Sequence, residues 1–469
     1  TCWPPTTTST PRTWRRPKKR PASGWSRASG CGCGSWTPDR ARTPPSTSWG
    51  RSSTPSSRKA RTSSSPTPAE LGEFVQLFEG LIAGLEAWAR LFPPRDQTIW
   101  PLRQDPKVGT TFEPNAHVTL SNGLDFNVTE TTNAAGFLDR PLPPVAKSAG
   151  ACRVAILGDS FVEAAQVPIP EKVQVKLAAA AAQRLPGTNL ETMALGFSGT
   201  GQLNQLGYYD AHVAERRPDL VVLVFVSNDF ADNSALLTAI RVGWHPAHTP
   251  RLFATITSDG RPALQPIDAD WRRHLLPQPL DARPWLHARL HRISRFYRWL
   301  YLKLSLQYPA LARAMGGEPG EADRTRVRLE ALRKLDAGFA ARLAGWDPVG
   351  DPALDVMFAE RDELPPAFEE AVRLTGFAFD EFARRTRRDG AQLAVLAVHG
   401  IKGRLAARLK LLLDARGIPL LDMEAHVAKS GQPVARAHWR HDNHWSPQGH
   451  AWAAEMISEH MARAGICKR

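Results

Sequence analysis

Serine, aspartate and histidine stand in this sequence where they could share one reaction, the transfer of an acyl group. Ser160 follows an apolar run in "CRVAILGDSF", directly after Gly158-Asp159, and the glycine allows the backbone to turn tightly there. Near the C-terminus, "HDNHWSPQGH" places Asp442 two residues before His444. A hydroxyl, an imidazole and a carboxylate are the parts that nucleophilic serine catalysis requires, so Ser160 is a candidate nucleophile.

Two further segments could supply hydrogen-bond donors to the oxyanion that forms during acyl transfer. "ALGFSGTGQLNQL" contains Gly196, Gly199 and Gly201, which would expose backbone N–H groups. "PDLVVLVFVSNDF" carries Asn228 directly after its apolar run, and the side-chain amide of Asn228 is a second kind of donor. Such donors stabilise the transition state of acyl transfer.

The elements that must position these residues follow from the apolar pattern. Strands are predicted, from apolar runs without period-2 alternation, at 153–157, 190–195, 219–226, 391–398 and 418–422. Helices are predicted between them, at about 168–185, 201–216, 366–388 and 402–416. This alternation predicts an α/β domain with a parallel sheet covered on both faces. Because ligands bind beyond the carboxyl ends of such strands, we expect the four segments to meet at one edge.

Residues 232–360 are predicted to form a mainly helical insertion, because the gap between the third and fourth strands far exceeds a crossover connection. Its apolar stripe at helical spacing consists of Leu286, Leu290, Ile293, Tyr297, Leu300 and Leu304. Arginines occupy other positions of the same helix, at Arg289, Arg292, Arg295 and Arg298. We interpret it as a lid helix with solvated arginines; the alternative is a basic helix on a membrane surface or an anionic polymer.

Residues 68–133 are predicted to hold one helix and then short β segments. Thr67 to Glu70 have capping-box spacing with proline at the first helical position, and the helical pattern ends at Pro93-Pro94. Charged residues within this helix argue against a membrane span. Asn122-Gly123 is typical of a hairpin turn between two of the β segments.

The formal charge of +14 belongs almost entirely to the first residues of the chain. Residues 1–68 contain 13 of the 60 Lys and Arg and one acid, Asp39, so the remainder is nearly neutral and we expect no nucleic-acid partner. Residues 1–67 contain no Val, Ile, Leu, Phe or Met, and we predict a disordered tail. Lacking an initiator methionine and a signal-peptide apolar region, this tail has the composition of a fragment end or an out-of-frame translation; the alternative is a basic arm for nucleic acid or anionic lipid.

The number and positions of the cysteines are not those of a disulfide framework. Three of the five cysteines lie in the tail, and the two that remain, Cys152 and Cys467, are far apart in the sequence. No CxxC pair suggests a metal site, and His426 and His441 have no carboxylate or cysteine partner at ligand spacing. We therefore predict neither a metal nor a cofactor.

The four segments that contain Ser160, Gly199, Asn228 and His444 occur in the same order as the conserved blocks of the SGNH, or GDSL-type, hydrolase superfamily. Residues 134–465 resemble this superfamily, apart from the insertion. The resemblance implies a flavodoxin-like three-layer sandwich in an SGNH-like domain at 134–469, to which "TNAAGFLDRPL" looks like the lead-in. It also implies that Ser160 is the nucleophile, His444 the general base and Asp442 its orienting partner. The oxyanion donors would be the N–H groups of Ser160 and Gly199 and the Asn228 amide.

The last block departs from the usual Asp-x-x-His of the superfamily, because His441 stands three residues before His444. The Asp-x-His-Trp form, Asp442 to Trp445, looks more like the branch that acetylates exopolysaccharides. A backbone carbonyl could therefore orient His444 in place of Asp442.

Several neighbouring residues have simpler interpretations than catalysis. Asp159 is interpreted as a turn-stabilising acceptor, and Gly196 and Gly201 as positions for close packing. Asp229 and Asp232 are interpreted as solvated loop acids, and His450 as a residue of the final helix.

Three functions remain open on the sequence alone. The first is an esterase or deacetylase that acts on a small-molecule or carbohydrate acyl ester. The second, favoured by Asp-x-His-Trp and by the insertion, is a cell-envelope polysaccharide O-acetyltransferase on the same site. The third is a non-catalytic binding protein on the same scaffold. The resemblance favours an extracytoplasmic or membrane-associated location over a cytoplasmic one, and the oligomeric state stays open.

Overall fold

The computed structural model describes residues 68–91, 99–243, 250–267, 289–290, 293–308, 321–335, 338–350 and 354–467. From Leu85 onward these residues belong to one compact unit. The predicted tail at 1–67 and the Pro93-Pro94 helix end lie outside the described residues.

Eleven strands occur in the described part of the chain. They are β1 (Leu102–Asp105), β2 (Gly109–Phe112), β3 (His117–Ser121), β4 (Asn127–Thr131), β5 (Ala151–Gly158), β6 (Asn189–Gly196), β7 (Leu220–Phe225), β8 (Phe253–Ile256), β9 (Pro262–Gln265), β10 (Gln392–Ala397) and β11 (Leu420–Asp422).

The described helices cover both the domain and its insertion. They are α1 (Pro68–Leu91), α2 (Ser160–Glu163), α3 (Val173–Arg184), α4 (Gln202–Tyr208), α5 (Asp229–Asp232), α6 (Ala235–Val242), α7 (Arg295–Gln307), α8 (Glu321–Leu335), α9 (Phe339–Arg342), α10 (Leu354–Glu360), α11 (Pro366–Arg388), α12 (Gly403–Asp414), α13 (Met423–Ser430) and α14 (Pro447–Ala464).

The central sheet has five parallel strands in the order β6-β5-β7-β10-β11. Numbered along the chain, this order is 2-1-3-4-5, the doubly wound arrangement of flavodoxin-like folds. All six residues of β7 are buried, as expected for a strand with helices on both faces. Right-handed crossovers place α3 on one face with α14 packed against it, and α4 on the other face with α11. The predicted α/β sandwich is confirmed.

The register of the strands brings their carboxyl ends to the same level. Gly158 at the end of β5 pairs with Gly196 at the end of β6, and Phe225 of β7 pairs with Ala397 of β10. The segments that follow these four strands therefore emerge side by side. Ser160 follows β5, between the segment after β6 and the segment after β7.

Short antiparallel pairs precede the sheet, as predicted. β1 pairs with β2, and β3 with β4, whose five-residue loop 122–126 is organised by Asn122. The Asn122 Oδ1 accepts hydrogen bonds from the backbone N–H groups of Leu124 at 3.0 Å and Asp125 at 2.8 Å. This asparagine acts through its side chain and not through a two-residue turn.

The insertion is mainly helical where it is described, with one feature that the sequence did not suggest, the β8-β9 hairpin. The predicted helix over 286–304 is interrupted, because Ser294 caps α7 by accepting from the Tyr297 N–H at 2.9 Å. Of the residues predicted for that helix, Leu286 and Arg292 lie outside the described residues. Arg295 and Arg298 are exposed to solvent, as a lid helix with solvated arginines would have them.

The predicted N-terminal helix is present as α1, and several of its apolar side chains are exposed, among them Phe74, Leu77 and Leu81. Within the described ranges, none of the helices has the length and apolarity to cross a bilayer.

Cys152 and Cys467 form a disulfide, with Cα atoms 5.6 Å apart, although 315 residues separate them. The sequence indicated no framework of disulfides and did not suggest this single bond. The fold brings them together because β5 begins at the same end of the sheet to which the chain returns after α14.

Candidate active site

Ser160 lies at the sharp turn between β5 and α2. Asp159 caps this short helix, its Oδ1 accepting from the Phe161 N–H at 3.0 Å, which confirms it as a turn-stabilising acceptor. The hydroxyl of Ser160 donates to Asp159 Oδ2 at 3.3 Å and remains partly exposed. The turn therefore presents the serine at the edge of the sheet.

Gly196 allows β6 to lie directly against this turn. A Cβ at this position would lie 2.3 Å from the backbone nitrogen of Glu163, closer than packed atoms approach. A Cβ at Gly201 would lie 2.5 Å from the side-chain oxygen of Asn233. Both glycines are close-packing positions, as predicted.

His444 is held by Asp442 through two contacts with the same oxygen. Asp442 Oδ1 lies 2.5 Å from His444 Nδ1 and accepts the His444 backbone N–H at 2.8 Å. A carboxylate accepts and does not donate, so Nδ1 carries the proton and Nε2 is left as the basic nitrogen. The carboxylate of Asp442, and not a backbone carbonyl, contacts the imidazole.

Charge and burial act in opposite directions on His444. Burial alone would lower its pKa, but the bond to Asp442 and the negative charges of Asp442 and Asp159 outweigh burial and raise the pKa above its ordinary value. For Asp442, burial would raise the pKa, but the His444 bond lowers it below its ordinary value. The pair is therefore a carboxylate and an imidazole of increased basicity.

Phe161 joins the C-terminal segment to the serine turn. Its ring centroid lies 5.1 Å from that of His444 and 5.3 Å from that of Trp445. Phe161 is the residue directly after Ser160, so the imidazole of His444 packs beside the turn that carries the hydroxyl. The structure thus brings the predicted nucleophile and base to one place, while their catalytic roles stay predictions.

Two of the three predicted oxyanion donors, the Gly199 N–H and the Asn228 amide, lie on the segments that follow β6 and β7, on either side of the segment with Ser160. Gly199 has a positive φ of 68°, and its carbonyl accepts a hydrogen bond from Arg251. The Asn228 amide donates to Asp232 Oδ2 at 2.5 Å and also hydrogen-bonds Asp159. A substrate oxyanion would therefore compete with two carboxylates for this amide.

Asp229 and Asp232 are fully buried, so the interpretation of both as solvated loop acids is wrong. Asp232 pairs with Arg241 of α6. Asp229 Oδ2 accepts from the Gln202 amide at 2.7 Å and from the Val226 N–H at 2.9 Å. Their partners come from other segments, which the local sequence around "SNDFAD" could not reveal.

The Asp229 carboxyl belongs to a buried polar network behind the serine turn. Gln202 Oε1 accepts from the Asn233 amide at 2.8 Å, and the same amide donates to Thr375 Oγ1 at 3.0 Å. Burial and the nearby charge of Asp159 hold the pKa of Asp229 well above its ordinary value. Burial also raises the pKa of Asp159. Because Asp229 is buried and also has the negative charge of Asp159 beside it, Asp229 favours its protonated form.

Glu163 and Lys172 form a second buried group under α2. Burial raises the pKa of Glu163 to about 7, and its carboxylate accepts the Ser198 N–H at 2.6 Å. Burial lowers the pKa of Lys172 to about 8, and its ammonium donates to the carbonyls of Glu163 at 2.7 Å and Leu138 at 2.9 Å. Sequence reasoning did not single out either residue.

Two more histidines lie at this edge and were also missed. His399 follows β10, and its ring stacks on that of His438 with centroids 5.0 Å apart. The signal that could have identified His399 is its place after an apolar run, in "LAVLAVHG", equivalent to the places of Ser160 and Asn228. His450, by contrast, lies buried in α14, as predicted.

Among the described residues, one group of three could converge on a metal ion, namely Cys152, Asp219 and Cys467. Its two thiols are joined in the disulfide, and Asp219 already accepts the Arg153 N–H at 2.6 Å. The sequence predicted no metal, and this group gives no reason to assign one.

No protein-family model and no curated protein matches the sequence. Solved structures do match. Axe2, an acetylxylan esterase from Geobacillus stearothermophilus, is 9% identical, with 66% of this chain and 92% of that chain covered and a TM-score of 0.31. A structure assigned to the G-D-S-L family of lipolytic proteins, from Desulfitobacterium hafniense, is 9% identical over 66% and 98% of the two chains, with a TM-score of 0.29. LAE5, an alpha/beta hydrolase enzyme from the metagenome of Lake Arreo, is 13% identical over 68% and 98%, with a TM-score of 0.31.

Proposed function

We propose that this chain is a serine-dependent acyl-ester hydrolase of the SGNH type, acting through Ser160, His444 and Asp442. The observation that carries the proposal is the Asp442–His444 pair packed on Phe161, the residue that directly follows Ser160. The substrate class is a small-molecule or carbohydrate acyl ester.

Asp442 prepares His444 to act as a base. With the Nδ1 proton directed at the carboxylate, Nε2 is the nitrogen that accepts a proton from the serine hydroxyl. The negative charges around the imidazole stabilise the imidazolium that this transfer forms.

The reaction proceeds in two acyl transfers. The Ser160 oxygen bonds to the ester carbonyl carbon while its proton passes to His444; the tetrahedral intermediate then expels the alcohol, which takes that proton. An acyl-serine and a neutral imidazole remain. A water molecule repeats the sequence, giving the carboxylic acid and the free serine.

Oxyanion charge is held by the N–H groups of Ser160 and Gly199 and by the Asn228 amide. A donor of this kind contributes about 3 kcal/mol to transition-state stabilisation. Because Arg241 neutralises Asp232, the hold of Asp232 on the Asn228 amide is weakened, which favours release of that donor to the oxyanion.

A second candidate is transfer of the acyl group to a sugar hydroxyl in place of water. It is favoured by the Asp-x-His-Trp form of residues 442–445, which resembles the branch that acetylates exopolysaccharides, and by the large insertion between β7 and β10. Incubation with acetyl donor and an oligosaccharide, followed by mass spectrometry, separates the two: acetylated oligosaccharide in excess over acetate indicates a transferase.

Hydrolysis of p-nitrophenyl acetate tests the proposal. We expect Ser160→Ala to reduce kcat/KM at least about 1,000-fold, because the nucleophile is lost. Ser430→Ala, at the exposed last residue of α13, is the matched control and should keep full activity. Retained activity in Ser160→Ala would refute the nucleophile, and an inactive wild-type protein on a panel of acyl esters would favour the non-catalytic function.

A further inference from the structure

His399 stands at the edge of the candidate site and has no part in the mechanism above. It comes two residues after β10, the strand next to the one that precedes Asn228. Its ring centroid lies 6.1 Å from that of Phe161, on which His444 also packs. Both imidazoles therefore contact one phenyl ring beside Ser160.

His438 lies against His399 in a nearly parallel stack, with centroids 5.0 Å apart and planes inclined by 19°. It is fixed from the other side, because His438 and Trp445 form an antiparallel bridge and the Trp439 N–H donates to the His444 carbonyl at 3.3 Å. The stacked pair is thus tied to the same segment that carries the candidate base.

The hydrogen bonds of the two rings assign complementary roles to their Nε2 atoms. His438 Nδ1 lies 2.8 Å from the Trp439 carbonyl, which can only accept, so Nδ1 carries the proton and Nε2 is an acceptor. His399 Nδ1 is buried and meets no hydrogen-bond partner among the described residues. A buried lone pair without a donor is tolerated more readily than a buried N–H without an acceptor, so the His399 proton is placed on Nε2.

Both side chains are partly exposed, and among the described residues neither Nε2 has a hydrogen-bond partner. Burial and the neighbouring His438 lower the pKa of His399 to about 4, so this imidazole is neutral at physiological pH. One accessible donor and one accessible acceptor on adjacent rings match a single hydroxyl group, which both accepts and donates.

We propose that His399 and His438 form a subsite for a hydroxyl group on the alcohol part of the ester, which makes a carbohydrate ester the preferred substrate class. This inference rests on the proposed function. The Phe161 ring adds an apolar surface beside the pair, of the kind that packs against the C–H groups of a sugar.

The test compares substrates that differ in free hydroxyls. The probes are monoacetylated xylobiose, fully acetylated xylobiose and p-nitrophenyl acetate. His399→Phe and His438→Phe keep an aromatic ring in the stack and remove its nitrogens. We expect each to raise KM for monoacetylated xylobiose about tenfold and to leave kcat/KM for the two substrates without hydroxyls within twofold. His426→Phe, whose imidazole faces Glu455 of α14 and not the stacked pair, should change none of these values.

A subsite and a general role in catalysis give different results. Equal losses on all three substrates, or no loss on any, would overturn the subsite, as would a wild-type enzyme that does not prefer the monoacetylated sugar. His399→Gln retains a side-chain donor, so its KM for monoacetylated xylobiose should lie between the values of the wild type and His399→Phe. This variant replaces His399→Phe if circular dichroism shows that the phenylalanine variant does not fold. Loss of the proposed function itself would show separately, as wild-type inactivity or as retained activity in Ser160→Ala.

Discussion

A histidine that acts as a base must have one unprotonated ring nitrogen, and its ring must be held in a fixed direction. Asp442 fixes both the protonation and the direction of the His444 ring. Its carboxylate holds the Nδ1 proton of His444, and it also holds the backbone N–H of the same residue. Asparagine at 442 could accept the N–H but would carry no charge to stabilise an imidazolium.

The pH dependence of hydrolysis should report the raised pKa of His444. The base works in its neutral form, so kcat/KM should fall as pH decreases through a value above the ordinary pKa of histidine. In Asp442→Asn the pKa of His444 falls, so the midpoint should move to lower pH, and the plateau should drop on the order of 10²- to 10⁴-fold. An unchanged midpoint in a pH-rate profile would argue against this pairing.

Glu163 is the control for that profile, because burial raises its pKa to about 7. A group that titrates near this value could be mistaken for His444 in the wild-type profile. In Glu163→Gln the acidic limb of the profile should persist, since the base is intact. Loss of that limb would assign the titration to Glu163 instead.

Residues whose roles depend on local pattern could be predicted, and those whose roles depend on distant partners could not. The turn around Ser160 follows from neighbouring residues, namely Gly158 and the Asp159 cap. The burial of Asp229 and Asp232 depends on Gln202 and Arg241, which belong to other segments. The pairing of His399 with His438 likewise joins two positions 39 residues apart.

Secondary structure elements meet at the candidate site with little spare space, most clearly where β6 passes α2. We predict that Gly196→Ala destabilises the protein by about 1 to 3 kcal/mol, because the added Cβ would lie 2.3 Å from a backbone nitrogen. Chemical denaturation measures the change. Gly80→Ala in α1, where no atom lies within 4 Å of the added carbon, should cause no loss. Equal stability of the two variants would contradict the close approach.

The β3-β4 hairpin is anchored to the segment that carries the candidate base. Asp125 accepts the His441 N–H at 2.8 Å and lies 3.0 Å from His441 Nδ1, while Phe126 packs on Trp439 with ring centroids 5.7 Å apart. The hairpin was predicted from Asn122-Gly123, but its contact with this segment was not, since 316 residues separate Asp125 from His441.

We therefore expect Asp125→Ala to reduce kcat for ester hydrolysis about tenfold, because a small displacement of a catalytic group is costly. Steady-state kinetics measure this effect. Asp259→Ala, at the exposed turn of the β8-β9 hairpin, removes an equivalent carboxylate and should leave kcat unchanged. A full-activity Asp125→Ala variant would show that the hairpin does not position the base.

At the scale of the whole molecule, the disulfide ties the first strand of the sheet to the end of the chain. It closes a very long loop, so its removal should lower the free energy of unfolding by about 2 to 5 kcal/mol. Thermal unfolding should show a lower Tm in the presence of a reductant. The double variant Cys152→Ser, Cys467→Ser should show this reduced Tm both with and without the reductant. A Tm equal to that of the oxidised wild-type protein would contradict a stabilising bond.

The parallel sheet with helices on both faces could be predicted because buried strands and helical segments alternate along the chain, and its flavodoxin-like arrangement was implied by the resemblance. The insertion could be predicted only as mainly helical, since the Ser294 cap and the β8-β9 hairpin depend on local competition between helix and turn. The disulfide between Cys152 and Cys467 could not be predicted, because it depends on the fold that brings the start of β5 beside the residues after α14.

The central claim is that the hydroxyl at position 160 is the nucleophile of an acyl transfer. Labelling of the wild-type protein with a fluorophosphonate, followed by peptide mass mapping, tests it most directly. We expect one adduct, on Ser160, and we expect it to form slowly or not at all in His444→Ala. An adduct on a different residue, or unchanged labelling in Ser160→Ala, would contradict it.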